Sequence, residues 1–533
     1  MTNRLYYGDN LDILREHIRD ESVDLVYLDP PFNSNASYNV LFKAPDGHDS
    51  HAQMEAFDDT WHWTDSAEHA FDEVMRSGNS DVAEMLRAMR SFLKENDMMA
   101  YLTMMAVRLL ELHRVLKQTG SLYLHCDPTA SHYLKILLDG VFEPRNFVNE
   151  ITWKRSHAHS DAKQGAKHFG RISDTILFYA RGEVRTWNVQ YTPYSQEYID
   201  RDYRRVESDG RRYRLDNIQG PGGAEKGNPF YEVMGVSRHW RYSKKKMGEL
   251  IEQGLIVQTS LGAVPQIKRY LDEMPGVPAQ DIWTDIPIIN NRSKELLGYP
   301  TQKPVALLER IINASSNEGD IVLDPFCGCG TTVHAAQKLN RQWIGIDVTH
   351  LAISLIQKRL RDAFGPIAIE VHGVPKDLGG AQALAEQDKY QFQWWAVSLV
   401  DAVPFGGKKK GSDGGIDGYI YFKPDGKVTE KAVVSVKGGQ NVGVTMVKDL
   451  IATVDREKAK MGVFITLAPP TGPMIKEAAS AGRYHTEYGE YPKIQILTIE
   501  QLFEGRRPEM PWIDPTVFKK AKRETKDTQG KLL

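Results

Sequence analysis

Two short segments carry the side chains with the plainest chemical purpose. The first is Leu28 to Phe32, LDPPF. Two prolines fix the main chain in an extended turn, so the Asp29 carboxylate and the Pro30 carbonyl can face one point, with Pro31 holding the bend. Two acceptors converging on a point suit an NH₂ group, and Phe32 offers a face on which a planar ring can stack. Taken alone, the tetrapeptide is equally well explained as a strand ended by prolines with Phe32 in a core. The second segment is Leu323 to Thr332, LDPFCGCGTT: an apolar strand ended by Asp324, glycines at Gly328 and Gly330, then a helix opening on Thr331 and Thr332. Glycines let a backbone approach a ligand closely, and a helix N-terminus offers free amide donors. One strand later Asp347 closes the run WIGID, where a carboxylate can accept from the two hydroxyls of a ribose. These residues leave a nucleotide and S-adenosylmethionine equally open.

The elements that must position them alternate. Arg4–Tyr7 and Val23–Leu28 read as strands around an amphipathic helix ending near Ile18. Helical spacing from Met98 to Leu116 then gives way to a β-rich run, Ser121–His125. The pattern resumes at Pro304 with a helix to about Ser315, a strand at Ile321–Leu323 and another at Trp343–Ile346. Strand and helix in alternation predict an α/β, Rossmann-like doubly wound fold. The division expected is 1–150 for the first part, 151–295 for an inserted region, 296–366 for the part with the glycine turn, 367–384 for a linker, 385–515 for a last α/β domain and 516–533 for a basic tail. The inserted region crowds Arg201, Arg204, Arg205, Arg211, Arg212 and Arg214 together, interleaved with Asp202, Glu207 and Asp209, and a loop is expected over Gln219–Asn228.

Composition narrows the classes. A chain of 533 residues exceeds the ~250–300 that one core supports, so several domains are expected. The 67 Lys+Arg nearly balance 70 Asp+Glu, so affinity for nucleic acid must come from local patches. Three cysteines make neither a disulfide framework nor a zinc ribbon, and no apolar run suits a signal peptide or a bilayer span. A cytoplasmic protein without membrane contact is the expectation. No GxxxxGK[ST] occurs, so no motor of that type is expected within the chain.

Taken together, the motifs GDN (Gly8–Asn10), DPPF (Asp29–Phe32), GSLYLHCD (Gly120–Asp127), TQKP (Thr301–Pro304), DPFCGCGTT (Asp324–Thr332) and GID (Gly345–Asp347) resemble the amino-methylating DNA methyltransferases of permuted order, in which the catalytic loop precedes the cofactor loop. Tyr27 to Trp63 is similar to modification subunits of type III restriction systems. The resemblance implies that Asp29, Pro30, Pro31 and Phe32 form the catalytic loop. It also implies that Asp324, Phe326, Gly328, Gly330, Thr331 and Asp347 hold S-adenosylmethionine, with Asp9 near its adenine and Lys303 near its methionine end. Asp at the first motif position points to N6 of adenine in double-stranded DNA, taken by base flipping; N4 of cytosine is the alternative. Phe32 stands where Tyr is commoner.

The segments GSDGGIDGYIYF (Gly411–Phe422), VVSVKGG (Val433–Gly439) and GVFITL (Gly462–Leu467) resemble the Mrr-like branch of the PD-(D/E)xK restriction endonucleases. In such nucleases carboxylates hold Mg²⁺ and a lysine stabilises phosphate charge. Asp417 and Lys437 match the pattern, with Asp417 the expected Mg²⁺ ligand. Ser435 and Gln393 stand where acids are usual, so a partial nuclease site and a degenerate fold kept for DNA contact or partner assembly both remain open. A homodimer and a restriction or defence partner subunit are the associations such a protein would have.

Overall fold

Continuous apolar runs at Val23–Leu28 and Leu122–Leu124 suit strands covered on both faces, which in a parallel sheet need helices on either side. A computed structural model describes residues 3–31, 37–43, 49–58, 62–156, 167–290, 293, 295–297, 299, 301–405, 415–425, 428–511 and 524, with 37–43 and 49–58 given by their backbone alone. Its main sheet has nine strands: β1 (Asn3–Tyr7), β2 (Val23–Leu28), β3 (Leu116–Cys126), β4 (Phe147–Lys154), β5 (Ser173–Ala180), β6 (Ile282–Trp283), β7 (Ile321–Asp324), β8 (Gln342–Asp347) and β9 (Ile369–His372). They lie in the order β6-β4-β5-β3-β2-β7-β8-β1-β9. Only β5 runs antiparallel to its neighbours.

Helices α1 (Asn10–His17), α2 (Asp97–Val115) and α3 (Ser131–Phe142) cover one face, where Leu14, Leu102, Leu109 and Leu134 join Val26, Leu28 and Leu122 in one core. Helices α4 (Val305–Ser315), α5 (Thr331–Lys338) and α6 (His350–Phe364) cover the other, with Leu308, Ile312, Ala336 and Ile356 against Leu25, Tyr27 and Val322. Strand alternation thus sends Val26 and Leu28 one way and Leu25 and Tyr27 the other. The decisive pairing is β2 with β7, in register at Leu25↔Val322 and Val26↔Leu323. It brings distant parts of the chain together at the middle of the sheet.

Two boundaries differ from the sequence reading. Strands β4 and β5 belong to the main sheet, although they fall wholly or partly within the stretch assigned to the inserted region. Ile151, Trp153, Ile176 and Phe178 enter one core on alternate positions, while Leu177 and Tyr179 of β5 enter the other. Residues 189–280 form a unit of their own around Ile218, Trp240, Met247, Leu250 and Ile267. In it the expected Gln219–Asn228 loop carries one short 3₁₀ turn, Gly223–Lys226. The expected linker contains β9, which pairs with β1 from Asn3 to Tyr6.

Beyond it, α7 (Leu378–Gln387) and α8 (Lys389–Ser398) precede a five-stranded sheet: β10 (Val403–Pro404), β11 (Gly418–Phe422), β12 (Glu430–Lys437), β13 (Met461–Thr466) and β14 (Ile494–Thr498), with α9 (Val444–Arg456) between β12 and β13. The basic tail lies outside the described residues except for Glu524. Among the described residues no helix is long and apolar enough to cross a membrane.

Gly330, which caps α5, has φ +75°, and a Cβ there would sit 2.7 Å from Ile356 Cγ1. Gly319 shares a positive φ of +84° but faces open space. Gly330→Ala is therefore expected to cost ~2–4 kcal/mol in denaturant unfolding, against ~1 for Gly319→Ala. Equal losses would show that the α5–α6 packing is not the constraint.

Candidate active site

Parallel strands point their C-terminal ends one way, so acids placed after β2, β7 and β8 converge at one edge. One cavity of about 290 Å³ opens there. Its lining includes Asp9, Asp29, Pro30 and Pro31 from the first part of the chain and Lys303, Asp324, Phe326, Gly328, Thr331 and Asp347 from the later part. Ten of the expected residues thus share one space. Gly330 is absent from the lining: its backbone turns the chain into α5 and packs on α6. Phe32 lies outside the described residues.

Each acid is fixed differently. Asp9, the N-cap of α1, accepts from Leu11 N at 2.8 Å and from Arg108 Nη2 at 3.0 Å on both oxygens. Arg108 Nε also donates to Asn10 Oδ1 at 2.6 Å, and Asn10 Nδ2 donates to the Pro325 carbonyl at 2.8 Å, tying the GDN turn to the DPF turn. Asp29 Oδ2 accepts from Lys303 Nζ. Lys303, expected near the methionine end of the cofactor, is thus joined to the catalytic loop. Asp324 accepts from Phe326 N at 3.0 Å and from the Thr332 hydroxyl. Asp347 accepts from Gly328 N, Thr349 N and Thr349 Oγ1, each at 2.9 Å. The Val348 backbone amide also bonds to it.

Several residues of the site were missed. Arg108 is one cation in an apolar helix, a signal that could have been read as buried and paired. Tyr27, two before Asp29 on the same face, lines the cavity, and its hydroxyl meets His125 Nδ1 at 2.9 Å. His125 Nε2 meets Asp174 Oδ2 at 3.1 Å, and Arg155 pairs with the other Asp174 oxygen at 3.0 Å. Against the upward push of burial, the bond with His125 holds Asp174 below the usual carboxylate range. Tyr299 stacks over the glycine turn, 3.3 Å from a Cβ at Gly328, and buried Arg359 donates to Cys329 O and Thr331 Oγ1 at 3.1 Å.

The charge of the lining distinguishes its ligands. It holds four carboxylates and two cations, Arg108 and Lys303, each paired with one of the acids. A polyphosphate would meet net negative charge, whereas a nucleoside carrying a cationic sulfonium would be attracted.

A family model described as DNA methylase matches residues 23–358, and one described as restriction endonuclease matches 384–504. The chain belongs to the N6/N4 DNA methylases. It is 28% identical over 371 residues to the type II methyltransferase M.EcaI of Enterobacter cloacae, spanning 69% of this chain and 71% of that one. It is 26% identical over 357 residues to the Mod subunit of the type III restriction-modification enzyme StyLTI of Salmonella typhimurium, spanning 64% of this chain and 50% of that one. A solved DNA modification methylase of Thermus thermophilus is 17% identical, covering 69% of this chain and 98% of that chain at a TM-score of 0.33.

As a methylase, the chain takes its methyl group from S-adenosylmethionine, and the acid-lined cavity fits that cation. Burial pushes the Asp324 carboxyl up to about 7 and that of Asp347 up to about 6. Both values exceed the ~4 of an unfolded chain, so the stability these protonated acids contribute is present below ~4 and lost as pH rises through 6 to 7. A ligand that needs them ionised gains over the same interval. Titration calorimetry with S-adenosylmethionine is expected to show tighter binding at pH 8 than at pH 5.5, with proton release; equal affinity would contradict the assignment.

In the C-terminal domain Gly418 pairs with Val434, which places Asp417 opposite Ser435, with Lys437 two residues on along the same face. Asp417 Oδ2 accepts from Val436 N at 2.6 Å. Gln393 sits on α8, whose Phe392, Ala396 and Val397 pack with Val434, Val436 and Ile420 on the opposite face. Val397, one turn on from Gln393, lies 2.9 Å from a Cβ at Gly418, beside Asp417. Among the described residues no group of three or more His, Cys, Asp or Glu could hold a metal. Among the described residues this group supplies one carboxylate, Asp417, with Ser435 and Lys437 beside it.

Most of the arginine cluster is internally paired: Arg201 with Asp202, Arg211 with Asp272 and Glu273, Arg212 with Asp200 and Arg214 with Asp216. Arg204, Arg205, Lys244 and Lys245 are exposed and have no ion pair among the described residues.

Proposed function

We propose that this chain methylates the exocyclic N6 amine of adenine in double-stranded DNA, with the base flipped out of the helix into the cavity between β2 and β7. The observation carrying this reading is that Asp29 and Pro30 line the same cavity as Asp324 and Asp347. The amine lone pair of adenine is delocalised into the ring and is a poor nucleophile. Asp29 and the Pro30 carbonyl, by accepting its two N–H bonds, favour the pyramidal geometry in which that lone pair is available. Bound S-adenosylmethionine supplies the electrophilic methyl. Lys303 holds the Asp29 side chain at the cavity wall, and the Tyr27–His125–Asp174 chain braces the strand that ends there. Phe32 is the stacking partner this reading assigns to the flipped base.

Asp at position 29 favours adenine over cytosine. Arg204, Arg205, Lys244 and Lys245 are the cations open to phosphate contact in the unit we assign to DNA reading. The type III Mod relative supports a restriction partner subunit for this chain as well. Nucleoside mass spectrometry on DNA from cells expressing the chain is expected to show N6-methyladenine, absent with Asp29→Ala. N4-methylcytosine would overturn the choice of base, and no modified base would overturn the activity.

For the C-terminal domain, Ser435 standing opposite Asp417 where a second acid is usual favours a nuclease fold that keeps DNA or partner contact, with Asp417, Ser435 and Lys437 as its remaining site. DNA incubated with Mg²⁺ is expected to be cut no more by the native chain than by Asp417→Ala or Lys437→Ala. Cutting lost in both variants would instead establish a working nuclease.

A further inference from the structure

The acids at the nucleoside end of the cavity lie on two short turns. Asp9 follows β1 through Gly8, and Asp347 precedes Val348 and Thr349, which also line the cavity, and then α6. The two turns are joined by Gly8 N donating to the Asp347 carbonyl at 3.0 Å. One residue behind each turn stands an aromatic ring. Tyr7 and His350 stack at a centroid distance of 3.7 Å and an angle of 18°.

The helix that meets His350 belongs to the C-terminal domain. Helix α8 packs on α6, and the Gln391 side-chain oxygen accepts from His350 N at 3.3 Å, serving one of the free amides at the start of α6. Asp388, the N-cap of α8, accepts from Tyr390 N and Gln391 N at 2.9 and 3.1 Å and so orients Gln391. Burial, then the charges of Asp388 and Asp347, raise the Tyr7 hydroxyl to about 12. The chain leaving β9 passes so close over the Tyr7 carbonyl that Gly373, at φ +78°, has no room for a side chain. His350 is 1% exposed, yet its Nε2 has no hydrogen-bond partner among the described residues.

We propose that the nuclease-like domain is the rear wall of the cofactor site: Gln391 is a positioning residue that sets the Asp347–Thr349 turn, so that S-adenosylmethionine occupancy and the docking of α8 are thermodynamically linked. The inference rests on reading the cavity as the S-adenosylmethionine site. Linkage makes it reciprocal. If docking tightens cofactor binding by some factor, cofactor binding tightens docking by the same factor.

The test uses the full chain. Gln391→Leu removes the acceptor at nearly constant volume and is expected to raise the Kd for S-adenosylmethionine fivefold or more, with kcat at saturating cofactor within twofold of native. Gln391→Glu keeps an acceptor oxygen and should return Kd to within twofold. A general loss of structure would lower kcat as well and would not be rescued. On the native chain, hydrogen exchange of the amides from Lys389 to Gln393 should slow when S-adenosylmethionine is saturating. Unchanged Kd in Gln391→Leu, or unchanged exchange in the native chain, overturns the proposal while leaving the cofactor site standing. No binding to the native chain removes the cofactor reading and this proposal together.

Discussion

Four carboxylates share one cavity, and holding that much like charge side by side is the constraint to which the rest of the site answers. An ionised carboxylate out of water costs several kcal/mol unless it is paired or hydrogen-bonded. Asp9 and Asp29 are matched by Arg108 and Lys303. Asp324 and Asp347 have only amide and hydroxyl donors, and they are the two whose pKa rises. The uncompensated negative charge therefore lies at the ends of β7 and β8, beside the glycine turn. A cationic cofactor completes the charge balance there, which ties the selectivity of the cavity to the same burial that makes the empty site costly.

The sheet makes this meeting possible without sequence proximity. Because β2, β7, β8 and β1 are adjacent and parallel, residues following each strand reach the same edge whatever their separation along the chain. Splitting the functional segments between the two ends of the methylase region costs nothing at the site, provided that β2 and β7 pair. It also places a second domain, entered from β9, directly behind the turn that carries Asp347. A fused domain in that position can bear on cofactor affinity without touching the cofactor.

What could be read from the sequence was local. Val23–Leu28 appears as a strand to the residue, and the helix expected over Met98–Leu116 is found at Asp97–Val115, because apolar runs and helical spacing are short-range patterns. Prolines and glycines beside acids marked Asp29, Asp324 and Asp347 because those residue types constrain the backbone wherever they occur. Arg108, His125, Asp174 and Gln391 went unread because each acts on a residue far along the chain, and no local spacing encodes those pairs. β9 was hidden in a glycine- and proline-flanked stretch that resembles a linker until β1 offers its edge. Gly330 shows the converse: its motif position is legible, yet what its missing side chain makes room for, Ile356 of α6, is not.

The central claim is that one cavity holds the amine acceptor and the cofactor acids as separable parts. Its most direct test measures S-adenosylmethionine binding and labelled methyl transfer to DNA side by side in Asp29→Ala and Asp324→Ala. The account predicts that Asp29→Ala keeps the cofactor within a fewfold of native affinity and transfers no methyl, while Asp324→Ala loses the cofactor itself. Methyl transfer persisting in Asp29→Ala, or native cofactor affinity in Asp324→Ala, would contradict it.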